Sequence, residues 1–172
     1  MGRTAATGLL SIVLAASAAV AERGDDADRV SKNGRAEGTV DGISVVLEYG
    51  RPEVRGREIW GGLVPYGEVW RTGANEATTL ELGSDALIEG EPLAAGRYGL
   101  FTVPGEEEWV VAFNRVADQW GAFDYDAAED ALRVTVEPRA AEHVEAMDFE
   151  ITESGIALRW AELAVPVSIS AP

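Results

Sequence analysis

Three polar residues, Arg71, Asn75 and Glu76, have the types and spacing to bind a ligand or to carry acid–base chemistry. An arginine presents a planar fork of donors to a carboxylate or a phosphate. Asparagine donates and accepts hydrogen bonds, and glutamate can act as a general base or bind a cation. The same residues could instead hold a loop on the fold, with Arg71 paired to Glu76. The sequence leaves both interpretations open.

Aromatic side chains, glycines and further arginines surround these three residues between Gly56 and Thr78. We expect a polar pocket here, with a cationic rim to which Arg51, Arg55 and Arg57 contribute. Tryptophans in loops could stack on a sugar or could close the ends of the fold, whereas Trp109 and Trp160 lie in apolar runs typical of a core. The candidate ligand-binding residues are Arg57, Trp60, Tyr66, Trp70, Arg71, Asn75, Glu76 and Trp120.

The residue types offer few ligands for a metal ion and few candidates for a catalytic nucleophile. The chain has one histidine, His143, and no cysteine, so histidine- and thiolate-based metal sites lack ligands. We interpret His143 as a strand-end residue in a turn, with an inward-facing pair to Glu145 as the alternative. The carboxylates from Asp124 to Asp130 lack the third ligand and the glycine of a calcium loop, and are interpreted as a solvated acidic turn.

These absences favour a binding module over an enzyme. No nucleophile elbow, phosphate-binding loop or zinc-protease motif occurs in the chain, and we expect no metal and no cofactor. The enzymatic alternative is a hydrolase of sugars or envelope polymers that uses Glu76 with Asp124, Asp126 or Asp130. A further alternative is a structural or partner-docking domain.

The elements that must position these residues are β-strands. Short runs rich in Val, Ile, Leu and aromatic residues are separated by Gly, Pro, Asp and Asn turns. No strand alternates with a long helical pattern, which disfavours an α/β fold. We predict one all-β domain, a single antiparallel β-sandwich of about nine strands, with a jelly roll as one form of it. The strands are expected at Ile43–Tyr49, Thr78–Leu82, Leu87–Glu89, Arg97–Val103, Glu108–Asn114, Leu132–Val136, Met147–Ile151, Ile156–Trp160 and Val165–Ile169.

The N-terminus has the composition of a secretory signal peptide. Arg3 precedes an apolar stretch over residues 5–18 that is too short to span a membrane, and Ala19-Val20-Ala21 provides small residues for cleavage. We predict cleavage after Ala21, export to the periplasm or beyond, and no membrane span. Residues 22–38 are polar and are expected to be a flexible leader to a domain over residues 39–172.

Net charge limits the partners. The formal charge of −16 disfavours nucleic acid, because binding a phosphate backbone requires a basic face. The expected partner is therefore a small polar ligand, either a carbohydrate or an anionic group.

Three long motifs identify a family resemblance. The chain carries Tyr49-Gly50-Arg51-Pro52, then Gly56-Arg57-Glu58-Ile59-Trp60-Gly61-Gly62-Leu63-Val64-Pro65-Tyr66-Gly67, then Trp70-Arg71-Thr72-Gly73-Ala74-Asn75-Glu76-Ala77-Thr78. Leu93-Ala94-Ala95-Gly96-Arg97-Tyr98-Gly99-Leu100-Phe101 and the pair Trp120-Gly121 continue the pattern. With these motifs the chain resembles the bacterial family called domain of unknown function 2911 over roughly residues 40–170. The resemblance implies an exported, largely β domain with no assigned reaction. Family members are often lipoproteins, whereas this chain has no cysteine to acylate.

Overall fold

Ten strands form two antiparallel sheets in the computed structural model, which describes residues 23–172. The predicted signal peptide lies outside the described residues and stays a prediction. The strands are β1 (Lys32–Val40), β2 (Ile43–Arg51), β3 (Thr78–Leu82), β4 (Ala86–Ile88), β5 (Glu91–Leu93), β6 (Gly96–Val103), β7 (Trp109–Asn114), β8 (Asp130–Val136), β9 (Arg139–Thr152) and β10 (Gly155–Ser170).

The larger sheet has the order β1-β2-β3-β6-β7-β8, and the smaller sheet has the order β5-β4-β10-β9. The chain therefore meanders through the larger sheet and leaves it for the smaller one twice, first as the β4–β5 hairpin and then as the β9–β10 hairpin. This order confirms the all-β antiparallel prediction. It does not contain the two Greek keys that a jelly roll requires.

The core lies where the inward faces of the two sheets meet. Val45, Leu47 and Tyr49 alternate with more exposed neighbours along β2 and are at most 1% exposed. Met147 on β9 and Leu158 on β10 face them from the smaller sheet and are also buried. This period of two is the pattern that predicted the strands, because successive strand side chains point to opposite faces.

Strand β1 begins at Lys32, inside the segment that the sequence predicted as a flexible leader. The composition was misleading because Gly34, Ala36 and Gly38 take the less exposed positions along the middle of this strand, and a large apolar residue appears only at its end, Val40. A side chain on Gly34 would collide with the ring of Tyr49, and one on Gly38 would press on Ile151. Small residues here let β1 approach the core closely, so its alternation lacks the usual hydrophobic signal.

The long β9–β10 hairpin bends under the loop that follows β2. The register between β9 and β10 shifts on either side of Ala161, which has a φ of 49°. Such bulges bend a strand and redirect its side chains. The loop pairs with β9, where the Val54 amide donates to the Glu145 carbonyl at 2.8 Å and the Met147 amide to the Pro52 carbonyl at 2.9 Å. The bend and the loop together enclose the candidate site.

Helical structure is limited to one short 3₁₀ turn, Ala127–Glu129, in the described part of the chain. Over residues 23–172 there is no helix of the length and apolarity that a membrane span requires.

Candidate functional site

The segment between β2 and β3 is fixed by backbone contacts although it contains no strand. Trp70 exchanges two hydrogen bonds with Thr102 on β6, at 2.8 and 2.9 Å. The amide of Ala77 donates to the Gln119 carbonyl at 2.9 Å. These bonds give the loop a defined path, so its side chains have fixed directions.

Glycines allow the loop to lie directly on β2. A Cβ on Gly50 would stand 2.1 Å from the carbonyl oxygen of Ala74, and one on Gly73 would stand 2.9 Å from that of Gly50. No side chain fits at the first distance, and at the second the backbone would have to shift. The glycines of the family motifs therefore serve a close approach of two backbone segments.

Two residues of the loop adopt the left-handed backbone conformation. Thr72 has a φ of 55° and Asn75 a φ of 63°. A β-branched residue is rarely found there, and such strain persists where surrounding contacts hold it. Buried hydrogen bonds hold Thr72, since its hydroxyl lies 3.2 Å from the Thr102 hydroxyl and its carbonyl accepts from Thr78 at 2.7 Å. The turn separates Arg71 from Glu76, whose side chains line different cavities.

Four tryptophans form one cluster under the loop. Trp60 packs edge-on against Trp70, Trp109 and Trp160 with ring centroids 4.9 to 5.9 Å apart. Trp70 stacks on Trp160 at 5.9 Å with an interplanar angle of 20°. The prediction that Trp109 and Trp160 belong to the core is confirmed, since they are 0% and 1% exposed. The loop tryptophans Trp60 and Trp70 are partly buried against them.

A cavity of about 350 Å³ opens between this cluster and the loop. We call it the Arg71 pocket. Its walls combine apolar and cationic side chains, chiefly Leu63, Trp70, Trp160, Arg55, Arg57 and Arg71. Val30 and Ser31 of the N-terminal leader form a further wall. The pocket lies where the predicted cationic rim meets the tryptophans.

The side chain of Arg71 has no hydrogen-bond or ion-pair partner within residues 23–172. Its Nε is buried and unpartnered, and burial lowers the pKa of its guanidinium. The other two arginines of the pocket are engaged. Arg55 binds the Glu53 carboxylate at 2.8 Å, and Arg57 donates from Nε to the Val54 carbonyl at 3.0 Å. Arg71 is thus the one arginine of the pocket lining whose side chain has no partner within residues 23–172.

The side chain of Glu76 is directed to the leader and not to Arg71. Its two carboxylate oxygens accept from Arg29 at 2.5 and 2.6 Å, and Arg23 lies 3.6 Å away. The hydrogen bond from Arg29 is the main cause that lowers the pKa of Glu76 to about 2. Asn75 likewise holds the leader, donating to the Ser31 carbonyl at 3.0 Å. The Arg71–Glu76 pair that the sequence suggested is not formed. Asn75 and Glu76 instead anchor residues 23–33.

The structure brings three of the predicted residues, Arg57, Trp70 and Arg71, into the lining of one pocket, with Trp60 packed behind Trp70. The other four do not line it. Asn75 and Glu76 hold the leader, Tyr66 is exposed beside Gly61, and Trp120 is 58% exposed, with its backbone bridged to Glu76.

Sequence reasoning did not assign Val30, Ser31, Leu63 or Trp160 to the site. Trp160 carried the signal of a core residue, which it also is, and it reaches the pocket at the bend of β10. Val30 and Ser31 carried no signal, because they lie in a polar segment far from the loop in sequence. Their position depends on the anchoring by Asn75 and Glu76.

The remaining titratable groups that the sequence singled out are in other places. His143 lies within β9, hydrogen-bonded to Glu162 at 2.9 Å and Glu145 at 3.2 Å, and these two bonds raise its pKa. It is an exposed residue within a strand, so the turn interpretation was wrong, whereas the predicted pair with Glu145 is formed but faces solvent instead of the core. Asp130 is not solvated, since its carboxylate is 4% exposed and accepts from Asn114 at 2.9 Å and Tyr125 at 2.5 Å.

Among residues 23–172 there is no group of three side chains that could hold a metal ion.

The fold and the site together define a β-sandwich domain with an aromatic pocket that contains one unpaired arginine. The chain belongs to the family described as Protein of unknown function (DUF2911), whose model matches residues 31–169. That match begins one residue before β1 and covers both sheets and the whole pocket except Val30. No curated protein and no solved structure matches the chain.

Proposed function

We propose that this protein is an exported module that binds a small anionic ligand in the Arg71 pocket without transforming it. The unpartnered guanidinium of Arg71 carries the proposal. A charge taken partly out of water without a partner destabilises a fold, so a ligand that supplies a negative group would recover that cost. A carboxylate or phosphate oxygen pair matches the donor fork of arginine.

The local charge balance supports an anion over an uncharged sugar. The whole chain carries a formal charge of −16, yet the pocket lining contains three arginines and one acid, Glu53. A cationic pocket on an acidic protein concentrates anions at one place and repels them elsewhere.

Another cavity of about 400 Å³, lined in part by Glu89, Glu137 and Arg139, has two acids to one arginine and no buried unpartnered cation. We therefore place the ligand in the Arg71 pocket.

The hydrolase hypothesis gains no support from Glu76. A general acid needs a raised pKa, whereas the pKa of Glu76 is lowered to about 2 by Arg29. Of the possible second carboxylates, Asp130 is engaged by Asn114 and Tyr125, and Asp126 caps the 3₁₀ turn. Neither Glu76 nor these aspartates line the Arg71 pocket.

Calorimetric titration tests the proposal. We expect the purified protein to bind at least one of acetate, hexanoate and inorganic phosphate, and not glucose. Arg71→Gln should weaken binding at least tenfold, because it removes the charge and the donor fork. Arg35→Gln is the matched control, since Arg35 is an exposed arginine of β1 outside the pocket.

Equal weakening by both variants would point to a general charge effect. If none of the anions binds, or if Arg71→Gln binds as the native protein does, the proposed function is wrong.

A further inference from the structure

We infer that the ligand is an amphipathic monocarboxylic acid, with its carboxylate on Arg71 and its apolar body against the tryptophan wall. This inference rests on the proposed function and narrows the class of anion. It follows from the placement of the unpartnered Arg71 guanidinium beside apolar side chains in a small cavity.

The apolar surface is the first observation. Trp70 and Trp160 stack on one another and both line the pocket. Leu63, which is 46% exposed, and Val30, which is 71% exposed, also line the pocket and are two of the few large apolar side chains that the described residues leave open to solvent. Clustered exposed apolar side chains around a cavity are typical of ligand sites. A small hydrophilic anion would leave this surface unused.

The charge of the ligand follows from the pairing of the arginines. Arg55 is neutralised by Glu53, and Arg57 is directed to the main chain, with Nε on the Val54 carbonyl and a terminal nitrogen on the Glu53 carbonyl. Only Arg71 remains without a partner among the described lining residues. The free guanidinium offers two parallel donors, which one carboxylate satisfies, whereas the Nε groups of Arg55 and Arg57 are already engaged by Glu53 and Val54.

The size of the cavity limits the apolar body. A volume of about 350 Å³ is near the lower end of the range for small-molecule pockets, which is about 300 to 1,000 Å³. It suits a short alkyl chain or one aromatic ring. A double-chain lipid would exceed it.

Titration with matched probes tests the class. Acetate and hexanoate share the carboxylate and differ in four methylenes. Each fully buried methylene is worth about fourfold in affinity, so even partial burial of the four should make hexanoate bind at least tenfold more tightly than acetate. Hexanol, which has the chain without the charge, and inorganic phosphate, which has the charge without the chain, should bind at least tenfold more weakly than hexanoate.

Two surface variants locate the apolar body. Leu63→Ser should reduce hexanoate affinity severalfold and leave acetate affinity unchanged, since Leu63 lines the pocket. Val69→Ser is the matched control, because Val69 is 37% exposed on the same loop but does not line the pocket. Both positions are partly open to solvent, so the fold should tolerate the changes.

The outcomes separate the two proposals. If acetate or phosphate binds as tightly as hexanoate and Arg71→Gln abolishes that binding, the anion site stands and the amphipathic class is wrong. If hexanol binds as tightly as hexanoate, or if no probe binds, both proposals are overturned. If Leu63→Ser and Val69→Ser give equal affinities for hexanoate, the apolar body does not lie where we place it and this inference is wrong.

Discussion

Arg71 and Glu76 are five residues apart on one loop, and their surroundings are opposite. Glu76 is met by two arginines of the leader, and its pKa falls to about 2. Arg71 is met by no acid of the described chain, and burial lowers its pKa. A partly buried charge with well-placed partners has its desolvation offset, whereas one without a partner is a cost to the fold, and charges of this kind are concentrated at functional sites. The comparison shows an anchoring half of the loop around Glu76, and under the proposed function the half around Arg71 is the recognition half.

The leader connects the two halves. Asp26 organises the chain before β1, since its carbonyl accepts from the Arg29 amide at 3.1 Å and its carboxylate accepts from the Asn33 backbone amide, in β1, at 2.7 Å. Glu76 and Asn75 fasten this segment to the sandwich, and Val30 and Ser31 of the same segment then line the Arg71 pocket. The anchoring half thus supplies one wall of the recognition half.

The largest effect should come from disrupting the close backbone contact between β2 and the loop, on which both halves of the loop depend. Gly50→Ala places a methyl group 2.1 Å from the Ala74 carbonyl oxygen, a backbone atom that can move only if the loop moves. We expect a loss of about 3 kcal/mol or more in the free energy of unfolding, measured with urea. Gly38→Ala is the control, since its new methyl group meets only the Ile151 side chain at 3.0 Å. Equal losses for the two variants would contradict the assigned role of Gly50.

Removing the anchor should have the next largest effect. Glu76→Gln loses the two-point contact with Arg29, and because the pair is partly exposed we expect about 1 kcal/mol of destabilisation at pH 7. Trypsin should also cleave faster after Arg29. Glu37→Gln serves as the control, since its ion pair with Arg35 is largely exposed. Unchanged stability and unchanged cleavage would show that Glu76 does not fasten the leader.

The same anchor predicts a pH dependence. The pKa of Glu76 is about 2 in the folded protein and 4.5 ordinarily, so its contribution is fully present above about pH 4.5. That contribution disappears as the pH falls through about 2, because Glu76 is then protonated in the folded protein as well as in the unfolded protein. The stability difference between the native protein and Glu76→Gln, followed by urea unfolding, should narrow across this window. A difference that stays constant from pH 7 to pH 2 would contradict the ion pair.

Removing the recognition charge should hardly affect folding. Arg71→Gln deletes a desolvated cation without a partner, so the free energy of unfolding should stay constant or rise by up to about 1 kcal/mol. Urea unfolding without added ligand measures this. A loss as large as that of Glu76→Gln would mean that Arg71 has a structural partner and that the contrast between the two halves is false.

The smallest effect is expected at Trp120. Its ring is 58% exposed and does not line the Arg71 pocket, and its bridge to Glu76 is made by the backbone. Trp120→Ser should therefore change stability by less than about 0.5 kcal/mol and hexanoate affinity by less than twofold. Thermal unfolding and the same titration measure both. A large loss of affinity would restore Trp120 as a ligand platform and extend the recognition surface beyond the pocket.

Local patterns were enough to predict the fold class. The alternation of Val45, Leu47 and Tyr49 and the turn Pro104-Gly105 are properties of neighbouring residues, and such strands and hairpins can be recognised in the sequence. Strand β1 was not predicted, because glycines, Gly34 and Gly38, occupy positions on its inward face where a large apolar residue would have given the signal. Three of the candidate residues, Arg57, Trp70 and Arg71, line one pocket, because they stand in one motif-rich loop.

The sequence by itself determined the all-β class, the acidic character and the loop that carries the family motifs, since these depend on composition and on short-range periodicity. Only the tertiary structure decided which charges are paired. Glu76 is paired with an arginine 47 residues away in the sequence. Arg71, beside the strained Thr72, has no acidic partner within residues 23–172. Charge pairing depends on distance and burial in three dimensions, and the spacing of residues along the chain specifies neither.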